Sequence, residues 1–142
     1  MTIRRSATAV WKGNLQAGAG SLSAPGGVLH DSPYSFNTRS GDAAGTNPEE
    51  LIAAAHAGCF TMATSFALQN AGFTATQLDT RADLALERGE GGFSITGIHL
   101  TMRASVPEID AAKFAEIAQG AKANCPVSKV LNCPITLDAA LV

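Results

Sequence analysis

The chain has 142 residues, 46% of them apolar and only 15% charged, and its 10 basic and 12 acidic side chains leave a formal charge of −2. That length makes a single domain over 1–142, with surface enough to bury that it needs no disulfide staples. The near-neutral balance argues against nucleic acid, whose binding needs clustered Lys and Arg, and no run of like charges marks a disordered tail or a basic membrane patch.

The chain opens on Met1-Thr2-Ile3-Arg4-Arg5, which is basic, but residues 6–10 supply no apolar core of signal-peptide length. A cytoplasmic, reducing location is therefore expected. Residues 6–12 alternate around Trp11 and read as a strand; the turn pair Gly13-Asn14 lets residues 15–22 return as a hairpin. After the loop Ala24-Pro25-Gly26-Gly27, residues 34–39 alternate again, and a third strand is expected to carry Arg39. Residues 40–46 form a Gly-bearing loop.

The clearest helix signal follows. Asn47 suits the N-cap, Pro48 the first helical position, and Glu49 and Glu50 lie where the helix dipole favours anions. Gly72 can end the helix. Residues 51–78 contain no charge and are long enough to cross a bilayer. Residues 51–68, however, hold six alanines plus His56, Thr61, Thr64 and Ser65, a composition poor in transfer energy. A helix buried on nearly every side of a soluble protein is the better reading.

Residues 77–86 alternate as a half-buried strand, and Gly89-Glu90-Gly91-Gly92 turns into residues 93–106. There the apolar phase slips at Gly97, so a β-bulge is expected. Residues 110–122 form an amphipathic helix with Phe114, Ile117, Ala118 and Ala121 inward. Residues 126–131 suit a short helix and 135–141 a last strand. The order predicts an α+β fold with antiparallel sheets around the long buried helix.

Three cysteines, Cys59, Cys125 and Cys133, are too few and too widely spaced for a secreted disulfide scaffold. Cys59 lies inside the apolar helix, where a free thiol commonly serves as a small core side chain. Cys125 precedes Pro126 at a short helix's N-terminus, where unpaired amides stabilise a thiolate. Cys133 precedes Pro134 with nothing charged beside it and reads as structural. His56 and Cys59 share a helix face, but without a Cys-x-x-Cys pair zinc is poorly supported. No metal or cofactor is expected, and His30, His56 and His99 read as core or strand residues. The absence of a Gly-x-Ser-x-Gly elbow leaves a hydrolase triad unsupported.

Gly45-Thr46-Asn47-Pro48-Glu49-Glu50-Leu51, followed by Ala54-Ala55-His56-Ala57-Gly58-Cys59-Phe60, resembles the signature of the OsmC/Ohr family. Cys125-Pro126-Val127-Ser128 resembles its second cysteine motif, and Tyr34-Ser35-Phe36-Asn37-Thr38-Arg39 the arginine segment of its OsmC subgroup. The similarity runs from the Trp11 strand to Asp138. The resemblance implies an intertwined homodimer that reduces hydroperoxides, organic ones especially and hydrogen peroxide more weakly, in oxidative or osmotic stress. It implies Cys59 as the peroxidatic cysteine, Cys125 as the resolving one, Arg39 and Glu49 as their polar partners, and a dithiol reductant, lipoyl-type or other. Cys133 lies outside the pattern.

The chemistry of these residue types agrees. A thiolate, not a thiol, opens an O–O bond, so a buried Cys59 needs a cation, and arginine stays protonated where lysine would not. Glu49 could hold the Arg39 guanidinium in a fork. Glu49 and Cys59, however, lie about 15 Å apart along one helix axis. Two such helices crossing antiparallel near residue 54, at Ala53, Ala54, Ala55 and Ala57, would bring Glu49 of one chain towards Cys59 of the other. A site at the subunit interface is therefore expected. Rival readings are a peroxidase tuned to hydrogen peroxide, a non-catalytic module binding a small apolar ligand on the same fold, and a stress-related protein with incidental thiols.

Overall fold

The computed structural model describes residues 1–142, which form two compact units, Met1–Leu51 and Ile52–Val142. The first unit is built on an antiparallel sheet in the order β1 (Thr8–Lys12), β2 (Ala19–Ser23), β3 (Ser32–Tyr34). The expected hairpin forms with Trp11 opposite Gly20. A Cβ on Gly20 would come within 2.6 Å of the Tyr34 ring and 2.9 Å of Trp11. The absent side chain thus lets Trp11 and Tyr34 pack tilted, with ring centroids 5.4 Å apart.

The strand expected over residues 34–39 stops at Tyr34. Residues Phe36–Ser40 instead make a short helix, α1, and Arg39 lies in its last turn. The cause is a reciprocal cap. The Thr38 N–H donates to Ser35 Oγ at 3.2 Å and the Ser35 N–H to Thr38 Oγ1 at 2.8 Å. Two local side-chain bonds outweigh an alternation only a few residues long.

Helix α2 (Pro48–Asn70) begins as expected: the Glu50 N–H donates to Asn47 Oδ1 at 2.8 Å. It ends in a paired terminal motif, with Phe73 N–H on the Leu68 carbonyl, Gly72 N–H on the Gln69 carbonyl, and Gly72 at φ +88°. Its first turn falls in the first unit and the remainder in the second.

In the second unit the sheet order is β4 (Gln77–Gly89), β5 (Gly92–Ser105), β6 (Ile135–Leu141). β4 and β5 pair antiparallel, Ala85 with Gly97 and Leu86 with Ile95, so Thr96 is the extra residue of the expected bulge. β6 runs parallel to β5, so this sheet is mixed where antiparallel pairing was expected. The chain between them contains α3 (Ala111–Asn124) and α4 (Pro126–Val130), a crossover long enough to bring β6 back in β5's direction. Phe114, Ile117, Ala118 and Ala121 of α3 point inward as the periodicity requires. They join Ile98, Leu100, Met102 and Ala104 of β5 and Phe60 and Leu68 of α2 in the core. Each of the larger side chains contributes about 1.5–3 kcal/mol by leaving water.

α2 is long and apolar enough to cross a membrane by length and composition. It packs instead as a core element. Thr61 Oγ1 donates to Thr80 Oγ1 of β4 at 2.6 Å, and Phe60 and Leu68 are wholly buried. Burial is nevertheless confined to one stripe, His56, Phe60, Thr64 and Leu68, rather than spread around the helix. Met62 and Phe66 remain 75% and 64% exposed.

Candidate active site

Cys59 and Cys125 come together in the second unit. Cys59 is half-buried on α2 beside the Phe60 stripe. Cys125 stands where two helices meet. Its N–H closes the last turn of α3 on the Ala121 carbonyl, at 2.9 Å, and its own carbonyl accepts from Lys129 N–H in α4, at 3.1 Å. Pro126 fixes the first position of α4, which aims that helix's free N–H groups back at the cysteine. The Cys125 side chain is fully buried. Both thiols are free, and each side chain acts on the pKa of the other, so the two adjoin.

The two sulfurs differ electrostatically. Burial raises the Cys59 pKa, and the adjacent Cys125 raises it further, while the Val127 N–H opposes weakly. Burial acts in the same direction on Cys125, but the Cys59 thiol, the backbone and hydroxyl of Ser128 and the Val127 N–H outweigh it, and its pKa is lowered. These groups surround the sulfur as oriented dipoles rather than as one short cap bond. Within this unit burial and the neighbouring thiol work against a Cys59 thiolate, the Ser128 and Val127 groups work for a Cys125 thiolate, and no basic side chain acts on either sulfur.

Behind the pair lies His56, one turn before Cys59 and wholly buried. Its Nε2 is 2.8 Å from Ser128 Oγ, and its Nδ1 is buried with no partner. Sequence reasoning takes His56 for a core residue and passes over Ser128. The available signals are the helical spacing of His56 from Cys59 and the serine two residues beyond Pro126. A groove of about 910 Å³ opens beside Cys59, lined chiefly by Met62, Phe66 and Ala67 of α2 and by Ile117 and Pro126, with Asn70 and Asn124 as its polar side chains. Its walls are predominantly apolar.

Arg39 and Glu49 come together in the first unit, with Arg39 Nε 3.1 Å from Glu49 Oε2. The expected fork does not form. One nitrogen makes the bond, and the two terminal nitrogens of the guanidinium have no acceptor. Asn47 sets this geometry: its Nδ2 donates to the Thr38 carbonyl at 3.0 Å, while its Oδ1 caps α2. Trp11, Leu15, Tyr34, Phe36 and Pro48 enclose a pocket of about 330 Å³ beside Arg39. Cys133 is half-buried against the core of the second unit and joins neither pair. No cluster of three or more His, Cys, Asp or Glu side chains is assembled to hold a metal.

A mixed sheet carrying a long apolar helix, with two reduced thiols meeting between that helix and a Cys-Pro turn, defines an α+β dithiol protein. The sequence profile described as OsmC-like protein matches residues 41–139, and the chain belongs to that family. It is 52% identical over 141 residues to Peroxiredoxin OsmC of Escherichia coli (strain K12), covering 99% of each chain. Organic hydroperoxide resistance protein OhrB of Bacillus subtilis (strain 168) is 29% identical over 112 residues, 78% of this chain and 80% of the relative. The crystal structure of OhrB from Bacillus subtilis superposes with a TM-score of 0.72 at 26% identity, covering 96% of this chain and 98% of that one. The higher identity to OsmC agrees with the resemblance of the Arg39 segment to the OsmC subgroup.

Proposed function

We propose that this protein is a cysteine-based peroxidase that reduces hydroperoxides, organic ones in preference to hydrogen peroxide, through Cys59 and Cys125. The observation that carries the reading is the meeting of these two reduced thiols, distant in sequence, beside an apolar groove. The names of the relatives, a peroxiredoxin and an organic hydroperoxide resistance protein, support the same chemistry.

The Cys59 thiolate attacks the terminal oxygen of the hydroperoxide. An S–O bond forms, the O–O bond breaks, and the alkoxide leaves to take up a proton as alcohol. Cys59 is then a sulfenic acid. The Cys125 thiolate attacks that sulfur, the S–O bond breaks, and hydroxide leaves as water, giving a Cys59–Cys125 disulfide. An external dithiol restores both thiols by exchange and departs as its own disulfide. The apolar groove suits an alkyl or acyl hydroperoxide better than the small, fully hydrated hydrogen peroxide.

The Cys59 thiolate needs a cation, and Arg39 with Glu49 supplies it in this reading from a second copy of the chain. Helix α2 runs unbroken from Pro48 to Asn70, which keeps Glu49 and Cys59 apart within one chain. Met62 and Phe66 leave an apolar face of α2 uncovered, as expected of a helix that meets a twin.

Mass spectrometry after one equivalent of cumene hydroperoxide tests the reading. A Cys59–Cys125 disulfide is expected in the parent protein, no turnover in Cys59→Ser, and one stoichiometric turnover in Cys125→Ser that leaves Cys59 as a sulfenic acid, which a second equivalent carries on to sulfinic acid. Full activity in Cys59→Ser would refute the mechanism. A tightly held apolar molecule in the groove without any turnover would favour the non-catalytic binding module instead.

A further inference from the structure

We propose that His56 is a positioning residue for the resolving half of the cycle: through Ser128 it keeps a hydrogen-bond donor aimed at the Cys125 sulfur. The inference rests on the peroxidase reading above. It starts from two facts of geometry: His56 is wholly buried, and its Nε2 lies 2.8 Å from Ser128 Oγ. The Ser128 hydroxyl, two residues beyond Pro126, is in turn one of the groups that lower the Cys125 pKa.

The direction of the His56–Ser128 bond follows from proton counting. Ser128 has one hydroxyl proton. If it points at Cys125, the oxygen must accept from His56, so the imidazole proton is on Nε2 and Nδ1 carries a bare lone pair. Nδ1 is the atom that is buried without a partner. A buried acceptor left unpaired is tolerated better than a buried N–H left unpaired, which favours this tautomer. The opposite direction would make His56 a base that collects the Cys125 proton. That would place an imidazolium in a buried site where no carboxylate pairs with the ring. Burial lowers the His56 pKa and opposes it. His56 is therefore a neutral donor, and Nε2–H to Oγ–H to sulfur is a polarised chain that favours negative charge on Cys125.

The consequence falls on the second step. While Cys59 is a sulfenic acid, two fates compete. Attack by the Cys125 thiolate closes the disulfide and releases hydroxide. A second hydroperoxide instead oxidises Cys59 to sulfinic acid and leaves as alcohol. Whatever holds Cys125 as a thiolate tips this competition towards the disulfide.

The test is a rapid-quench experiment on the full chain with cumene hydroperoxide, reading disulfide, sulfenic and sulfinic acid by mass spectrometry. His56→Leu and Ser128→Ala are each expected to lower the ratio of disulfide to sulfinic acid by about tenfold, the loss of one hydrogen bond to a charged group. The double variant should fall no further than either single one, because both act on the same donor to Cys125. His56→Gln, whose amide can donate to Ser128 but cannot serve as a base, should restore the ratio to within about threefold of the parent. An unchanged ratio in Ser128→Ala, or no recovery in His56→Gln, would overturn the proposal. A parent protein that never forms the Cys59–Cys125 disulfide would overturn the peroxidase reading itself.

Discussion

Arg39 meets Glu49 through Nε alone, at 3.1 Å, on a side chain 30% exposed facing a carboxylate 15% exposed. A bidentate fork would use up two guanidinium nitrogens. The single bond orients the group and leaves its terminal nitrogens to meet another anion. In the proposed mechanism that anion is the Cys59 thiolate of a second copy of the chain, or the alkoxide leaving the hydroperoxide it attacks. Arg39→Ala is therefore expected to raise the pKa governing peroxide consumption. Activity follows the thiolate fraction, which grows above the pKa. Its rising limb therefore moves to higher pH, and the rate at neutral pH drops about tenfold for every pH unit the limb moves. Glu49→Gln, which keeps an acceptor for Nε, should lose less than Glu49→Ala. Stopped-flow rates with cumene hydroperoxide across the pH range measure both; an unmoved pH profile in Arg39→Ala would remove the arginine from the reaction.

Asn47 determines whether that guanidinium is held in place. It is 7% exposed and makes two bonds, one to the carbonyl of Thr38 in α1 and one to the N–H of Glu50 in α2. Asn47→Ala removes a helix cap, which costs about 1 kcal/mol, and leaves the Thr38 carbonyl without its amide donor. Urea unfolding should show a loss of about 1–2 kcal/mol. Asn47→Asp keeps the cap and loses only the amide donor. It should therefore recover most of the stability while peroxide turnover stays reduced if, as proposed, it depends on where α1 carries Arg39.

His56 also marks the stability of the fold against acid. Its folded-state pKa is depressed by burial below the ordinary value of 6.5. Above 6.5 it is neutral in both states and the cost is absent. As pH falls through 6.5 the unfolded chain takes up a proton that the folded chain refuses, so stability declines and continues to decline until the folded-state pKa is reached. Denaturant midpoints between pH 8 and pH 5, the range that brackets an ordinary histidine, should drop on acidification in the parent and drop less in His56→Gln. Equal slopes would mean that the buried imidazole is not what titrates.

Much of this is legible in the sequence, and the exceptions have local causes. The inward face of α3, the cap at Asn47 and the phase slip resolved at Thr96 are all written in periodicity or in one side-chain type. The alternation of Tyr34, Phe36 and Thr38 argues for a strand through Arg39, while the reciprocal Ser35–Thr38 cap that makes α1 is a pattern of only two residues. The parallel pairing of β6 depends on how far the chain travels through α3 and α4, which no local pattern encodes. For the site, the pairing of Cys59 with Cys125 is visible only through resemblance, since nothing in the spacing of two such distant thiols says that they meet. The His56–Ser128 contact is of the same long-range kind: both residues lie within the two cysteine motifs, but nothing in either motif says that they touch.

The proposed pairing of α2 with a twin helix makes a prediction that can be measured. Leu68 and Phe60 satisfy its inward stripe, whereas Ala54, Ala55 and Gly58 are exposed and small, so a second helix could approach closely there. A Cβ on Gly58 would meet nothing within 4 Å. Ala55→Glu places a charge on that surface without touching the core, and its thermal stability as a separate chain should stay near the parent's. If two copies cross at this point to complete each site, sedimentation should show Ala55→Glu shifted from dimer to monomer at micromolar concentration. Its peroxide turnover should fall with it, and raising the protein concentration should recover both together. A monomeric Ala55→Glu variant with undiminished turnover would show that one chain suffices, and Arg39 would then have to reach the thiols without a partner.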